Sequence, residues 1–458
     1  MPNRQAKIEI TAVGPEMIIF GLAEAPVGYG AMGRFAPLEL DRRALPPLDS
    51  PANVQAYGAT LTGALCSHQA VGAELQQIFG TMPPDQACLQ FEIGVPEAEA
   101  LRWETLCDAA SAPGRFLALH GICSMKRIAT GGGTRDPGLR TFSGPIRMSA
   151  FLSAVGATAR EEFRVIAQAV AAARATGLEV EARVYLGEED LLQDPGDPFP
   201  GGAVPPGVEV RPIPPSALAL QQQLRGDQPH LLHFFCHGHA EQGPEEAGVQ
   251  RVELASISDH DAHSLTGRPG SVHLSIERLV EELAAEDTVW LTVLNSCSGG
   301  RPVQRLHSMA AALAKAASPV AIGMAEPIRD SDATRFAEVF YREAFELIRQ
   351  ATMELKEGET STIDLAPAVG HARVELHHSY KNDGPPGWCL PILYQHAGPL
   401  KVARLDPLMG KRVKLVAEAL RSQPMTTPIE IRLQLLEVLD KAPAVPAAVR
   451  PDRYGNFA

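Results

Sequence analysis

Cysteine is scarce and unpaired in this chain of 458 residues. The seven cysteines show no paired spacing, and their odd number does not fit a disulfide framework. Secreted domains that rely on disulfides use cysteine more densely, so we expect reduced thiols and a cytoplasmic protein. The positions are Cys66, Cys88, Cys107, Cys123, Cys236, Cys297 and Cys389.

Long apolar runs and an excess of positive charge are also lacking. No segment approaches the roughly 18 apolar residues of a membrane-spanning helix, and the N-terminal residues contain no apolar signal segment. We therefore expect neither export nor a membrane partner. The net charge is −13, which argues against nucleic-acid binding by bulk electrostatics. The glycine-rich segment 131–138 has no Gly-Lys-Ser/Thr, which favours a flexible connector over a phosphate loop.

Two apolar runs end at reactive side chains. One reads His230-Leu-Leu-His-Phe-Phe-Cys-His-Gly-His239, and the other reads Val289-Trp-Leu-Thr-Val-Leu-Asn-Ser-Cys-Ser-Gly-Gly300. A histidine and a cysteine on two buried strands of one sheet can be held within hydrogen-bond reach, as a thiolate nucleophile and its proton-transfer partner require. The glycines after the cysteine allow a sharp turn that brings N–H groups close to a substrate carbonyl. The pattern favours His237 and Cys297 as a catalytic pair.

Two other interpretations of these strands stay open. A cysteine that ends an apolar strand is often a small core residue. The crowding of His233, Cys236, His237 and His239 also resembles a zinc site. Side chains on a strand alternate between faces, however, so Cys236 would lie opposite the three histidines, and no second ligand pair with zinc spacing follows.

A second cluster, Asp259-His-Asp-Ala-His263, contains residue types that bind divalent cations. The same residues favour turns, and we predict a solvated hairpin loop rather than a metal site.

Alternating strand and helix patterns from about residue 145 predict an α/β fold with a mostly parallel sheet covered by helices on both faces. Functional groups in such sheets lie beyond the carboxyl ends of the strands, where His237 and Cys297 fall. Before this region we predict one helix over 54–79. The later predictions are strands over 146–155, 178–186 and 319–324 and helices over 160–174, 217–224, 276–283, 304–317, 332–349, 411–421 and 428–439.

The two strand ends resemble the His-Gly and Cys motifs of the CHAT family, a branch of the caspase-like (clan CD) cysteine peptidases. Further segments resemble the family in the same order along the chain from roughly residue 85 to 400. They are Leu101-Arg-Trp-Glu-Thr-Leu106, Phe116-Leu-Ala-Leu119, Ala321-Ile-Gly-Met324 with Pro327-Ile-Arg-Asp330, Phe336-Ala-Glu-Val-Phe-Tyr341 and Trp388-Cys-Leu-Pro-Ile-Leu-Tyr394.

The resemblance implies a caspase-like catalytic domain over 141–400, a CHAT-associated α+β region over 1–140 and a small helical C-terminal extension over 401–458. It further implies that Cys297 is the nucleophile and that His237 protonates the leaving amine. The N–H groups of Gly238 and Cys297 would form the oxyanion hole. No cofactor is implied. The extension is equally an adaptor for a partner or a segment packed on the core.

Departures from the family pattern bear on specificity. Many metacaspases have an aspartate two residues before the cysteine, but here Asn295 holds that position, so a preference for basic side chains does not follow from it. In the caspase-like layout, the segment from Met324 through Glu326 to Asp330 forms a wall of the primary pocket. Its carboxylates would repel acidic side chains. Alternatively, Glu326 faces solvent and Asp330 starts the next helix.

By resemblance, this is a regulated endopeptidase that cleaves a partner protein in a bacterial signalling or antiviral defence system. An activating protein partner is expected, and the segments 194–215 and 241–273 are candidates for movable elements. Arg102 replaces the family's usual proline, which we interpret as structural variation. Two other classes stay open, namely a non-catalytic CHAT scaffold that binds a partner and a metal-binding regulatory protein.

Overall fold

The computed structural model describes most of the chain, and every structural statement below refers to the residues it describes. They are residues 4–14, 17–25, 34–82, 85–108, 115–121, 123–130, 139–240, 250–266, 270–286, 288–296, 306–380, 386–424, 426–440, 445 and 450–455.

Strands and helices alternate through the middle of the chain. The strands are β1 (Arg4–Val13), β2 (Met17–Glu24), β3 (Ala36–Pro37), β4 (Ala87–Ile93), β5 (Cys107–Asp108), β6 (Arg115–Phe116), β7 (Cys123–Ala129), β8 (Leu139–Phe142), β9 (Ile146–Leu152), β10 (Val180–Leu186), β11 (Val208–Pro212), β12 (Leu231–Ala240), β13 (Gln250–Leu254), β14 (Val272–Ser275), β15 (Leu291–Ser296), β16 (Val320–Met324), β17 (Thr360–Ile363), β18 (Pro391–His396) and β19 (Leu400–Arg404). The α-helices are α1 (Pro51–Cys66), α2 (Gln69–Phe79), α3 (Pro96–Glu99), α4 (Arg160–Ala175), α5 (Glu189–Gln193), α6 (Ala217–Asp227), α7 (Ile257–Thr266), α8 (Ile276–Glu286), α9 (Leu306–Ala316), α10 (Asp330–Thr352), α11 (Ala366–Ser379), α12 (Pro407–Ser422) and α13 (Ile429–Asp440).

Most of the described strands belong to one sheet with the order β11-β10-β9-β12-β15-β16-β18-β7-β4-β1-β2-β3. The six strands from β11 to β16 are parallel to their neighbours, and so are the four from β18 to β1. Helices α4, α10 and α11 pack together, while α6, α8 and α9 form a second set that contacts the sheet. The predicted α/β class with a mostly parallel, helix-covered sheet is confirmed.

The sheet continues across the predicted boundary between the N-terminal region and the catalytic domain. Strand β18 pairs antiparallel with β16 on one side and parallel with β7 on the other. Because β7 lies within the first 140 residues, these two parts of the chain share one sheet and one hydrophobic core. The domain boundaries themselves stay a prediction.

The single helix predicted over 54–79 is wrong, because two helices occupy this stretch. Helix α1 ends at Cys66, and α2 begins after His68, whose ring Nδ1 accepts a hydrogen bond from Val71 N at 3.4 Å. This side-chain cap satisfies a backbone donor at the start of α2. Apolar residues continue on both sides of the break, so the periodicity alone did not reveal it.

The acidic and histidine-rich cluster at 259–263 lies in helix α7, so the predicted hairpin loop is wrong there. The Asp259 carboxylate reaches back to the backbone N–H of Ser256 at 2.7 Å, as in a capping box. It also accepts hydrogen bonds from the backbone and hydroxyl of Ser271, at 3.0 and 2.6 Å. Asp259 therefore ties the start of α7 to the turn before β14. Within the described residues no group of three or more metal-ligating side chains occurs.

The C-terminal residues form a second small core. Strands β17, β19 and β8 make a three-stranded sheet, and Leu139 and Ala403 share an apolar cluster with side chains of α12 and α13. Arg432 of α13 is buried, and its guanidinium donates to the backbone carbonyls of Leu420, Gln423, Pro424 and Arg453. The helices predicted over 411–421 and 428–439 correspond to α12 and α13. None of the helices in the described ranges is long and apolar enough to cross a membrane.

Candidate active site

The two motif strands are neighbours in the sheet. Strands β12 and β15 run parallel in register, from Leu231 opposite Leu291 to Cys236 opposite Ser296. The next residue along β12 is His237, and the next residue in the chain after β15 is Cys297. The side chain of His237 and the whole of Cys297 lie outside the described residues. Gly238 continues β12, where its backbone is described.

Four buried side chains meet below the ends of these strands, and we call Glu162, His233, Asn295 and Tyr341 the floor cluster. His233 Nδ1 lies 2.8 Å from the Tyr341 hydroxyl, and His233 Nε2 lies 3.1 Å from Oε1 of Glu162. Asn295 Nδ2 donates to the same Glu162 oxygen at 2.8 Å and to the Ala333 carbonyl at 3.1 Å. His233 and Asn295 lie on β12 and β15, while α4 and α10 supply the other members.

Burial determines how the floor cluster behaves. Burial, and then the nearby Glu162 carboxylate, raise the pKa of Tyr341 well above its usual value, so the phenol stays protonated and can donate to His233. Glu162 Oε2 and Asn295 Oδ1 have no hydrogen-bond partner among the described residues. Burying a polar atom without a hydrogen-bond partner costs free energy, which the hydrogen bonds made by the other atoms of these side chains help to offset. The cluster therefore fixes the two motif strands against α4 and α10.

Sequence analysis did not identify Glu162 or Tyr341. A signal for Glu162 was present, because this carboxylate falls within the buried stripe of α4 together with Phe163 and Ile166. An acidic residue within an apolar helix face needs a partner. Tyr341 was quoted only as part of a family motif.

Two of the predicted substrate-binding residues lie inside the molecule. Asn295 and Met324 are both fully buried, so they lie beneath the strand ends instead of on an exposed pocket wall. The expectation that Asn295 and Met324 line the substrate pocket is therefore corrected. Both are buried because α4 and α10 cover this face of the sheet. Asp330 is exposed and is the first residue of α10, as the alternative interpretation held.

Glu326 lies two residues beyond β16 and forms an ion pair that sequence analysis missed. Its Oε1 is 2.8 Å from Nη2 of Arg102, which also donates to the carbonyl of Ala325 at 3.2 Å. Both residues line a groove of about 510 Å³, otherwise formed mainly by residues 42–49 and 97–101. Arg329, three residues after Glu326, donates a hydrogen bond from Nε to the Asp332 carboxylate at 3.2 Å.

Another histidine of the first motif has a structural role. His230 is buried, and its Nδ1 accepts a hydrogen bond from the backbone N–H of Arg147 at 3.0 Å. Burial, and to a lesser degree the charge of Arg147, hold the pKa of His230 well below its usual value. A histidine that stays neutral cannot act as a general acid near neutral pH.

Five of the described cysteines are poor nucleophiles. Burial raises the pKa of each of these thiols, to about 11 for Cys107 and to about 12 for Cys389. The thiolate is the reactive form, so these side chains stay protonated and unreactive near neutral pH. The other three with raised pKa values are Cys66, Cys88 and Cys123.

Comparisons with solved structures give low similarity. A Saccharomyces cerevisiae separase–securin complex has a TM-score of 0.32 and 12% identity, over 77% of this chain and 19% of that chain. A second structure of that complex gives 0.28 and 11%, over 73% and 17%. A GPDH of Dunaliella salina gives 0.24 and 10%, over 84% and 62%. These scores are too low to support an argument, and the comparison with curated proteins gives no match.

The family comparison is informative. The family model of the CHAT domain matches residues 144–356, from the strand β9 region to just beyond α10. Both motif strands and the floor cluster lie within this range. The match confirms, for residues 144–356, the resemblance to the CHAT family drawn from the two strand ends.

Proposed function

We propose that this protein is a regulated cysteine endopeptidase with Cys297 as nucleophile and His237 as general acid. The observation that carries the proposal is the register of β12 with β15, which ends at Cys236 opposite Ser296. Neighbouring strands are about 4.8 Å apart, so residues that follow a registered pair can bring their side chains together. The CHAT family match supports a caspase-like peptidase as the class.

The proposed chemistry follows from these two residues. The Cys297 thiolate attacks the peptide carbonyl, and the N–H groups of Gly238 and Cys297 stabilise the oxyanion. The C–N bond then breaks as His237 gives its proton to the leaving amine. Water, deprotonated by His237, hydrolyses the remaining thioester and restores the thiol. No cofactor takes part in these steps.

The other thiols support the choice of Cys297. Five described cysteines have raised pKa values, and Cys236 is buried on β12. A nucleophile must reach a substrate as a thiolate, which burial opposes. Cys297 is the remaining cysteine in the sequence, and it is followed by Ser298 and two glycines.

We further propose that Glu326 forms part of the pocket for the residue before the scissile bond. Its carboxylate is 52% exposed and borders the groove beyond β16. A negative group there disfavours acidic substrate side chains. Family resemblance supports a partner protein as substrate, an activating partner protein and a role in bacterial signalling or antiviral defence.

Alkylation by iodoacetamide tests the nucleophile without needing an activator or a known substrate. We expect mass spectrometry to find that Cys297 reacts faster than Cys66, the described cysteine that is exposed. His237→Ala should slow the reaction of Cys297 and leave Cys66 unaffected. Equal rates at the two thiols would contradict an activated nucleophile.

Cleavage is tested with a peptide library in the presence of lysate from the source cells. Cys297→Ala should abolish the activity, and His237→Ala should lower it on the order of 10²-fold or more. The matched control is Cys66→Ala, which should retain full activity. A reactive Cys297 without any cleavage, together with a bound protein in the lysate, would favour the non-catalytic scaffold.

A further inference from the structure

Strand β12 continues past the parallel sheet and pairs antiparallel with β13, which in turn pairs antiparallel with β14. His237 is directly opposite Glu253 on β13, and Glu253 is directly opposite His273 on β14. Directly opposed residues of antiparallel strands lie on the same face with Cβ atoms about 4.5–5.5 Å apart. His237, Glu253 and His273 therefore occupy one row across three strands.

Glu253 is unusual within this row because it is a buried carboxylate. It is 3% exposed, and its Oε1 has no hydrogen-bond partner among the residues that the structure describes. Its Oε2 lies 3.8 Å from Nε2 of His273, which is itself 2.7 Å from the Gly270 carbonyl. A buried carboxylate oxygen without a donor costs free energy, and a hydrogen bond donated by His237 would remove that cost.

The neighbouring rows across these strands carry different kinds of side chain. On one side Gly238 is opposite Val252, which is buried and apolar. Two residues further along, His239 is opposite Arg251, which supplies a positive charge on the same face as Glu253. The titratable groups placed by register around Glu253 are thus His237, His239, Arg251 and His273, and His237 is the one directly opposed to it on the site strand.

We propose that Glu253 is a positioning residue that accepts a hydrogen bond from the imidazole of His237. This inference deepens the proposed function and rests on it for its catalytic meaning. A carboxylate on one ring nitrogen fixes the tautomer and the ring plane, and it stabilises the imidazolium that must donate its proton. The other nitrogen is then directed to the leaving amine. Glu253 itself touches neither substrate nor thiol.

The deciding experiment is an NMR titration of the full-length protein with isotope-labelled histidine. The His237 resonance is assigned by its loss in His237→Gln. Glu253→Gln should lower the titration midpoint of His237 by about 1 pH unit, because a nearby negative charge stabilises the protonated ring. The control is Glu74→Gln, which removes another buried carboxylate, in the distant helix α2. An unchanged His237 midpoint in folded Glu253→Gln would overturn the proposal.

Activity gives a second readout that a merely structural residue would not move. Glu253→Gln should lower kcat by about 10- to 10³-fold with little change in KM, and it should shift the alkaline limb of the kcat/KM profile to lower pH. Glu253→Asp should recover part of kcat. A lower kcat with an unshifted pH profile of kcat/KM would show that Glu253 only stabilises the fold. A shifted His237 midpoint without any peptide cleavage would support the hydrogen bond between Glu253 and His237 but contradict the proposed peptidase function.

If Glu253→Gln does not fold, the alkylation rate of Cys297 in the Glu253→Asp variant tests the proposal instead. The shorter carboxylate should slow the reaction of Cys297 in the wild-type background and have no further effect in His237→Ala. An equal slowing in both backgrounds would show that Glu253 acts independently of His237, which contradicts the proposal.

Discussion

Arg102 and Glu326 form an ion pair of 2.8 Å between segments 224 residues apart in sequence. Arg102 belongs to the N-terminal region, and Glu326 follows β16 within the residues that the CHAT family model matches. The same guanidinium group donates to the carbonyls of Ala100 and Ala325. Arg102, which the sequence alone suggested was simple structural variation, thus brings a positive charge to Glu326. Of the carboxylates proposed for the specificity pocket, Glu326 is the only one that borders the described groove.

Removing Arg102 should increase the preference for a basic residue before the scissile bond. Arg102→Leu leaves the Glu326 carboxylate unneutralised, so cleavage after Lys or Arg should rise relative to uncharged residues. We expect no more than about a fivefold change, because partly exposed pairs contribute up to ~1 kcal/mol. Arg42→Leu is the matched control, since Arg42 lines the same groove without a contact to Glu326. Peptide-library profiling measures both variants.

Acidic residues before the scissile bond should be disfavoured in the wild-type protein. The Glu326 carboxylate repels a substrate carboxylate more reliably than it attracts a base, because Arg102 already occupies part of its hydrogen-bonding capacity. Selective loss of cleavage after Arg or Lys in Glu326→Gln would place this carboxylate in the pocket. A library cut chiefly after Asp would contradict the assignment.

The floor cluster should be required for the reactivity of the site as well as for stability. Tyr341→Phe removes the hydroxyl group next to Nδ1 of His233 and leaves a buried nitrogen unpaired. We expect a loss of about 1–3 kcal/mol in the free energy of unfolding and slower alkylation of Cys297. Tyr185→Phe is the control, since that hydroxyl donates to buried Asp227 at 2.6 Å on another part of the sheet. It should affect stability alone, and equal alkylation rates in the two variants would count against the cluster's role.

The buried pair of Arg127 and Glu104 should make stability depend on acid pH. Arg127 donates to both Glu104 oxygens at 3.1 and 2.8 Å. Burial alone would raise the pKa of Glu104, but the charge and hydrogen bonds of Arg127 outweigh it and lower the value. The stabilisation is therefore present above the ordinary carboxyl value of 4.5 and is lost as pH falls through the lowered value.

Breaking this pair should cost about 3–5 kcal/mol at neutral pH, because Arg127→Met leaves a buried charge unpaired. Denaturant unfolding should show that the difference from wild type in the free energy of unfolding narrows as the pH falls below 4.5 and through the lowered pKa of Glu104. The double variant Arg127→Met with Glu104→Gln removes the unpaired charge and should recover part of the loss at neutral pH. A gap independent of pH would argue against an electrostatic cause.

The purified protein should be weakly active or silent until a partner binds. Of the two segments predicted to move, 194–215 contains β11 in the sheet, and its buried Phe199 packs against Phe163 at a ring distance of 5.3 Å. The insert 241–273 contains β13, α7 and the start of β14, and its Gln250 donates to Ser308 near the start of α9. Activation should therefore change hydrogen exchange in β13 and β14 more than in β11. High turnover by the isolated protein would contradict a silent resting state.

Local patterns in the sequence predicted elements well where the structure is locally determined. The helix predicted over 160–174 is α4, and the strand predicted over 319–324 is β16, because periodic apolar residues specify which face is buried. The same reasoning wrongly predicted α1 and α2 as one helix, because the His68 side chain that caps α2 does not interrupt the apolar pattern. At 259–263 the turn-forming residues suggested a loop, whereas hydrogen bonds from Ser271 hold Asp259 at the start of a helix.

The sequence by itself determined the α/β class, the family resemblance and the two strand ends where function is proposed, since these depend on composition, periodicity and ordered motifs. Only the tertiary structure decided which strands are neighbours and which charges meet. The floor cluster joins two strands and two helices, the Arg102–Glu326 pair spans 224 residues, and Glu253 reaches the row of His237 through strand register. Such contacts arise from packing distant segments into one core, and no local pattern encodes them.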